Sequence, residues 1–554
     1  MKLKFIIILG VSIIPYNFLF ANIYSESKHT NIHYQSDTPS DTTKKAPANW
    51  FNLDRSEDKI QGVSTEKAYE EILKNKPSKT VIVGVIDSGV DVEHEDLQGH
   101  VWMNPDEKAG NGVDDDRNGY VDDIHGWNFI GGKDGRNVEY DTYELTREYA
   151  RLKPKYSDAS KKIRKKDKAN YEYYLKIQSI YESKVTELKE QYDEFKKIKE
   201  AYTAVSSILK NHLKKDTITV DDLQTISAQD KMLQDARNFM QYALENDIES
   251  YLKEGGDYFT EALEYGYNLE FDPRNIVGDN YNDINEKYYG NNDVTGPDAR
   301  HGTHVAGIIA ANRNNTLGIK GVADNVQIMA IRAVPNGDER DKDIANAIYY
   351  AVDNGAQVIN MSFGKSYSPH KEAVDAAIQY ALSKGVLLIH AAGNDAKNTD
   401  IESNFPNKKF SNKNVEASNW IEVGASSWGG PTNFVGTFTN YGKKSVDVFA
   451  PGVDVYSTTP KQGYENLSGT SMAAPVTAGV AALLMSYYPN LSADQIRNII
   501  IKSTVKFEDL SVNKPGSSKQ GKPENVKFND LSVTGGIVNA YEAIKMAEAI
   551  TNEK

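Results

Sequence analysis

From about residue 276 onward, short apolar runs alternate with longer Ala-rich stretches. The runs at 327–332, 357–361, 386–391, 420–424 and 446–449, together with 81–86 nearer the N-terminus, are continuous rather than alternating. Strands buried on both faces read that way. Between them, 302–311, 341–354, 370–384, 471–487 and 492–502 carry helical spacing. Strands separated by helices pair in parallel, with helices on both sides of the sheet. The expected fold is therefore α/β, a parallel sheet flanked by helices.

The middle of the chain has a different period. Tyr174, Tyr181, Leu188, Phe195, Tyr202 and Leu209 recur every seven residues, and Ile177, Val185, Tyr192, Ile198 and Val205 fill the neighbouring positions, in a background of Lys and Glu. A sustained seven-residue step predicts a long helix in coiled-coil-like packing. Met232, Ala236, Phe239, Met240, Ala243 and Ile248 mark a second helical segment able to fold back on the first. Residues 141–275 are thus expected to form an antiparallel helical hairpin inserted into the α/β unit. It would divide that unit into a first part, 49–140, and a second, 276–554.

The N-terminus has the features of an export signal: Lys2 and Lys4, an apolar run from Phe5 to Ile14, and a second ending at Phe20-Ala21. Cleavage after Ala21 is expected, giving a periplasmic or secreted protein. An uncleaved anchor is the rival reading, but the run is broken by Pro15 and falls short of the ~20 apolar residues a spanning helix needs. No later segment is expected to cross a bilayer. Residues 22–48 are polar and read as a flexible leader. A net charge of −14 argues against a nucleic-acid partner. The absence of cysteine excludes disulfides, thiolate metal sites and a cysteine nucleophile. An exported chain without disulfides needs another brace, and bound metal is one candidate.

Three segments carry candidate chemistry. Ser471 lies in Asn466-Leu-Ser-Gly-Thr-Ser471-Met-Ala-Ala-Pro475, at the start of an Ala-rich helix. Free amides at a helix N-terminus favour negative charge and stabilise an oxyanion beside a nucleophile. Alone, the segment is equally an ordinary helix cap. A serine nucleophile needs a base, and His301, in Asp298-Ala-Arg-His301-Gly-Thr-His304, is the best candidate. His304 raises the rival idea of two metal ligands, but no Glu sits between them as in zincins, so His304 is expected to be a packed core residue. The base needs a buried acceptor to hold one tautomer. Asp87 ends the strand Val81-Ile-Val-Gly-Val-Ile-Asp87, at the carboxyl end where α/β ligands bind.

Taken together, Val-Ile-Asp87-Ser-Gly-Val, His301-Gly-Thr-His-Val-Ala-Gly and Ser-Gly-Thr-Ser471-Met-Ala-Ala-Pro resemble the subtilisin-like serine proteases (subtilases), in the chain order Asp, His, Ser. The likeness covers roughly 80–140 and 276–505. It implies a subtilisin-like sheet, polypeptide substrates and hydrolysis through an acyl-enzyme on Ser471. Asn394, in Ala391-Ala392-Gly393-Asn394, matches the oxyanion-hole segment. Ile359–Gly364 matches the strand that pairs with substrate backbone, with Ser362, Phe363 and Gly364 lining the specificity pocket. A catalytically dead scaffold on the same fold is the alternative, opposed by the intact triad.

Asp114, Asp116 and Asn118, followed by Gly119, have the D-x-D-x-N-G beginning of a calcium loop, with Tyr120 offering its carbonyl and Asp122 or Asp123 replacing the missing terminal Glu. Crowded carboxylates repel unless a cation neutralises them. Similar acidic loops in some subtilases bind calcium, so a structural Ca2+ is expected. Two features depart from the family: the 141–275 insertion, expected to restrict or guide substrate access, to bind a partner or to be a solubilising appendage, and the short leader, which argues against a large autocleaved prodomain. Residues 49–79 are expected to pack on the catalytic unit.

Overall fold

The computed structural model describes residues 46–552, apart from 159, 161, 227–229, 412–414, 431–432 and 518–522. The export segment and nearly all of the 22–48 leader lie outside the described residues.

The helices are α1 Thr65–Ala68, α2 Glu144–Tyr156, α3 Lys168–Leu213, α4 Val220–Gln224, α5 Lys231–Glu245, α6 Ile248–Thr260, α7 Arg274–Val277, α8 Arg300–Ala310, α9 Asp341–Asp353, α10 Lys371–Ser383, α11 Thr470–Tyr487, α12 Ala493–Lys502 and α13 Ala540–Asn552. The strands are β1 Val81–Asp87, β2 Gly126–Asn128, β3 Val326–Arg332, β4 Val358–Met361, β5 Leu387–Ala391, β6 Trp420–Ser426, β7 Val448–Pro451, β8 Val455–Thr459, β9 Gly463–Leu467, β10 Val505–Lys506, β11 Ser511–Asn513, β12 Asn525–Lys527 and β13 Gly536–Ile537.

The main sheet has nine strands in the order β10-β13-β7-β6-β5-β4-β1-β3-β2. Every pairing is parallel except β10 with β13. Alternate residues of one strand serve two cores. Ile328 and Ala330 join the layer containing α8, α11 and α12, while Met329 and Ile331 join the layer of α9 and α10. This is why the strands read as unbroken apolar runs. The chain crosses from β3 to β4 over β1, so β1 lies between them with Asp87 at its carboxyl end.

Residues 49–79 pack on this body. Trp50 and Phe51 are fully buried, and the Trp50 indole donates to the Asp454 carbonyl at 3.0 Å. Helix α11 is apolar and long enough to cross a membrane, contrary to expectation, but 89% of it is buried inside the protein. It is the core helix beneath the sheet.

The 141–275 region differs from the expected two-helix hairpin. Its axis is α3, a single helix of 46 residues, about 70 Å long at 1.5 Å per residue. Helices α2, α5 and α6 all pack against it. The seven-residue series is the buried stripe: Tyr174, Tyr181, Leu188, Phe195 and Leu209 are all buried. The return is broken into α5 and α6 by Asn246 and Asp247, the latter at φ 47°. Three separate apolar clusters result instead of one continuous seam.

Candidate active site

The carboxyl ends of β1 and β4 are the foundation. Ile86 pairs with Met361, so Asp87 and Ser362 leave adjacent strands at the same level, about 4.8 Å apart. Asp87 is 2% exposed. Its Oδ1 accepts from His301 Nδ1 at 2.6 Å and from the Ser88 amide at 2.8 Å. A carboxylate can only accept, so Nδ1 carries the proton and Nε2 keeps its lone pair.

His301 is held there by the start of α8. Gly302 makes the approach possible, since a Cβ at that position would sit 2.1 Å from the Gly89 carbonyl and 3.1 Å from the Asp87 Cβ. The β8–β9 hairpin braces the same turn. Ser457 Oγ donates to the His304 carbonyl at 2.7 Å, Thr458 Oγ1 donates to the Thr303 carbonyl at 2.8 Å, and Arg300 grips Glu465 through two bonds. His304 is fully buried with Nε2 3.1 Å from the Glu465 carbonyl, and burial pushes its pKa down to about 3. It is a neutral core histidine, in line with the absence of a zincin-type Glu between it and His301.

Ser471 is the second residue of α11, among the amides a helix cannot bond internally. Its Oγ donates to the Ser362 carbonyl at 3.2 Å, and Ser362 Oγ donates back to the Ser471 carbonyl at 2.9 Å. The hydroxyl therefore rests on Ser362 and not on the imidazole. In sites without substrate, nucleophile–base bonds are often long or misaligned. Asn394 follows β5. Its Oδ1 accepts from both the amide and the hydroxyl of Thr470, each at 2.9 Å. That fixes the amide plane and turns Nδ2 toward the Ser471 side, where it lies 3.5 Å from where a Cβ on Gly469 would stand.

The segment expected to meet substrate divides into a paired half and an unpaired half. Ile359, Asn360 and Met361 are bonded on both edges, to β1 and to β5, so they have no edge to offer an incoming chain. Only Ser362, Phe363 and Gly364 lie beyond the paired region, and Lys365 is already paired with Phe405. Phe363 is buried, with His390 edge-on at 6.3 Å. Gly364 faces Asn404: a Cβ there would meet Asn404 Nδ2 at 2.9 Å.

The acidic loop is rearranged relative to expectation. Asp114 and Asp116 are joined by Glu107, with carboxylate oxygens all within 4.8 Å of one another. The Asn118 Oδ1 accepts from the Tyr120 amide at 2.8 Å, and the Tyr120 ring lies in an aromatic cluster with Trp127, Phe129 and Tyr350. Asp122 accepts from the amides of Asn111 and Gly112. Asp123 is buried, and burial raises its pKa to about 6 despite hydrogen bonds from Tyr350, Asn118 and Asn104.

Sequence reasoning missed Glu107, Arg332 and the β8–β9 hairpin. Arg332, 1% exposed, donates to the Ser88 carbonyl at 2.7 Å and so steadies the turn after Asp87. The hairpin did carry a signal, two short runs around Pro460-Lys461-Gln462 with Gly463 after them.

A buried Asp at the end of a parallel strand, bonded to a half-buried His at the start of a helix and close to a serine on another helix N-terminus, is the arrangement of a serine hydrolase. Comparison with known proteins makes this specific. The Subtilase family profile matches residues 78–528. The chain is 45% identical over 187 residues to the thermophilic serine proteinase of Bacillus sp. (strain AK1), covering 34% of this chain and 42% of the relative. It is 42% identical to thermitase of Thermoactinomyces vulgaris and 38% identical to subtilisin DY of Bacillus licheniformis. These alignments cover 37% and 38% of this chain and 68% and 72% of the relatives. The matched region thus spans less than half the length of the first relative and about two thirds or more of the other two. The chain belongs to the subtilase family of serine endopeptidases.

Proposed function

We propose that this protein is an exported endopeptidase that cleaves internal bonds of polypeptides through an acyl-enzyme on Ser471. The observation that carries the reading is the 2.6 Å bond between His301 Nδ1 and Asp87, set beside Ser471 across adjacent strand ends. In the first step Ser471 Oγ attacks the scissile carbonyl carbon while His301 Nε2 takes the hydroxyl proton. The oxyanion is met by Asn394 Nδ2 and the Ser471 amide. Collapse expels the amine, which leaves with the proton from His301. Water, deprotonated by the same imidazole, then releases the acid and regenerates the serine. Ser362–Gly364 hold the substrate main chain as an added strand, so recognition rests largely on backbone and tolerates many sequences. Export is supported by the Lys2–Ala21 segment.

Calcium is proposed at Glu107, Asp114 and Asp116. The Glu107 Oε2 is buried without a hydrogen-bond partner, and hard oxygen donors suit this ion. Its role there is to neutralise the loop and brace it against the sheet.

The test is digestion of an unstructured protein such as casein by the wild type and by Ser471→Ala. Cleavage at internal sites by the wild type, absent from the variant, is the expected result. Equal cleavage by both proteins would overturn the assignment.

A further inference from the structure

The insertion is fastened to the catalytic body beside the segment proposed to hold substrate. Lys365 directly follows Gly364. Its backbone N–H donates to the Phe405 carbonyl, and its carbonyl accepts from the Phe405 amide, each at 2.9 Å. Its ammonium, 2% exposed, donates to Glu144 Oε2 and to the Glu339 carbonyl at 2.8 Å and lies 2.8 Å from Asp341 Oδ1. Three acceptors match the three N–H donors of an ammonium. Asp341 and Glu339 come from the catalytic body, at and just before the start of α9. Glu144 is the first residue of α2, the helix that opens the insertion.

Glu144 is itself fixed from two sides. Arg147 Nη2 donates to Glu144 Oε2 at 2.8 Å, and the Glu144 amide donates to Asp338 Oδ2 at 2.8 Å. Arg147 Nη2 also reaches the carbonyls of Asp338 and Glu339, at 3.0 and 3.2 Å. Burial alone would raise the Glu144 pKa, but Arg147 and Lys365 hold it well below the carboxylate range. Burial likewise opposes the Lys365 charge, and Asp341 and Glu144 hold its pKa well above the usual value. Both groups are thus charged in a water-excluded seam.

Attaching an appendage does not require this. Apolar side chains of the same volume are often as stable or more so, whereas a buried charge deprived of its partner is strongly destabilising. What such a network supplies is one fixed geometry. Here that geometry is imposed on the residue next to Ser362–Gly364.

We propose that Glu144 is a positioning residue: by holding Lys365 it sets the main-chain conformation of Ser362–Gly364, so the root of the insertion controls affinity for extended peptides. This rests on the protease reading above, and the assays are chosen to separate the two. KM and kcat are measured for a peptide of eight residues and for p-nitrophenyl acetate, which needs the triad and the oxyanion donors but no extended main-chain contacts. Rates of fluorophosphonate labelling are measured alongside.

Glu144→Gln raises the peptide KM about fivefold, near 1 kcal/mol of binding. It leaves kcat within about twofold and leaves ester hydrolysis and labelling unchanged. Glu144→Asp keeps the charge, so it folds even if Glu144→Gln does not, and it shifts KM the same way by a smaller factor. A peptide KM unchanged in Glu144→Asp and in any folded Glu144→Gln overturns the proposal. So do parallel losses on peptide and ester, which mark a purely structural residue. A wild type that neither labels nor cleaves would instead sink the protease reading itself.

Discussion

In the proposed mechanism Asn394 is the side-chain oxyanion donor, and which end of its amide points inward decides whether it can serve. Its Oδ1 is occupied twice by Thr470, which leaves Nδ2 to donate to the oxyanion. Removing such a donor typically costs ~3–4 kcal/mol of barrier. Asn394→Ala is therefore expected to lower kcat by about 10²–10³-fold with KM nearly unchanged. Steady-state kinetics on a peptide substrate checks this, and a change mainly in KM would contradict the role. At this scale the contiguous motifs placed Asp87 and His301, which the structure joins by a hydrogen bond. The buried His304 was also legible, because no Glu sits between the two histidines to favour a metal pair. Arg332 and Glu107 were not legible. An arginine becomes structural only when tertiary packing encloses it, and Glu107 joins Asp114 and Asp116 only through the path of the loop.

At the scale of elements, the strands and helices of the sheet could be read because each strand is buried on both faces and each helix is separated by a turn. Strand β1 extends one residue past the expected apolar run, to Asp87, because the chain keeps the register of β3 to its end. In the segment 359–364, pairing of β4 with β1 and β5 occupies Ile359, Asn360 and Met361 and leaves Ser362, Phe363 and Gly364, the residues the sequence named for substrate, beyond the ladder. In the acidic loop the ligand types were evident, but their assignment was not. Asp114, Asp116, Asn118, Asp122 and Glu107 all accept from the loop's own amides, and Glu107 joins Asp114 and Asp116 in one carboxylate cluster. Millimolar calcium is expected to raise the melting temperature by several degrees over a chelated sample, and Asp114→Ala combined with Asp116→Ala should abolish the rise. Equal shifts in wild type and double variant would remove calcium from this loop.

Over the whole molecule, a subtilase sheet has been opened between Asp87 and His301, 214 positions apart in sequence, and a helical unit placed in the gap. The seven-residue repeat announced that unit because its aromatic and leucine positions recur along the whole of α3. The separate starts of α4 and α5 follow local caps, the Thr219–Asp222 capping box and Asp230 accepting from the Met232 and Leu233 amides, which the repeat itself does not carry. The buried ion pairs at its root were invisible too. Asp141, Glu144, Arg147, Arg340 and Lys365 are ordinary charged residues until the fold brings them together. The insertion leaves the two halves of the site intact: β1 and α8 meet as though the intervening residues were a short loop. The account thus depends on His301, oriented by Asp87, activating Ser471. Its most direct test is mass-spectrometric mapping of a fluorophosphonate adduct in the wild type, His301→Ala and Asp87→Asn. The adduct is expected on Ser471 alone, lost without His301 and slowed by orders of magnitude without the Asp87 charge. Labelling of a different residue, or of Ser471 at an unchanged rate when His301 is absent, would contradict it.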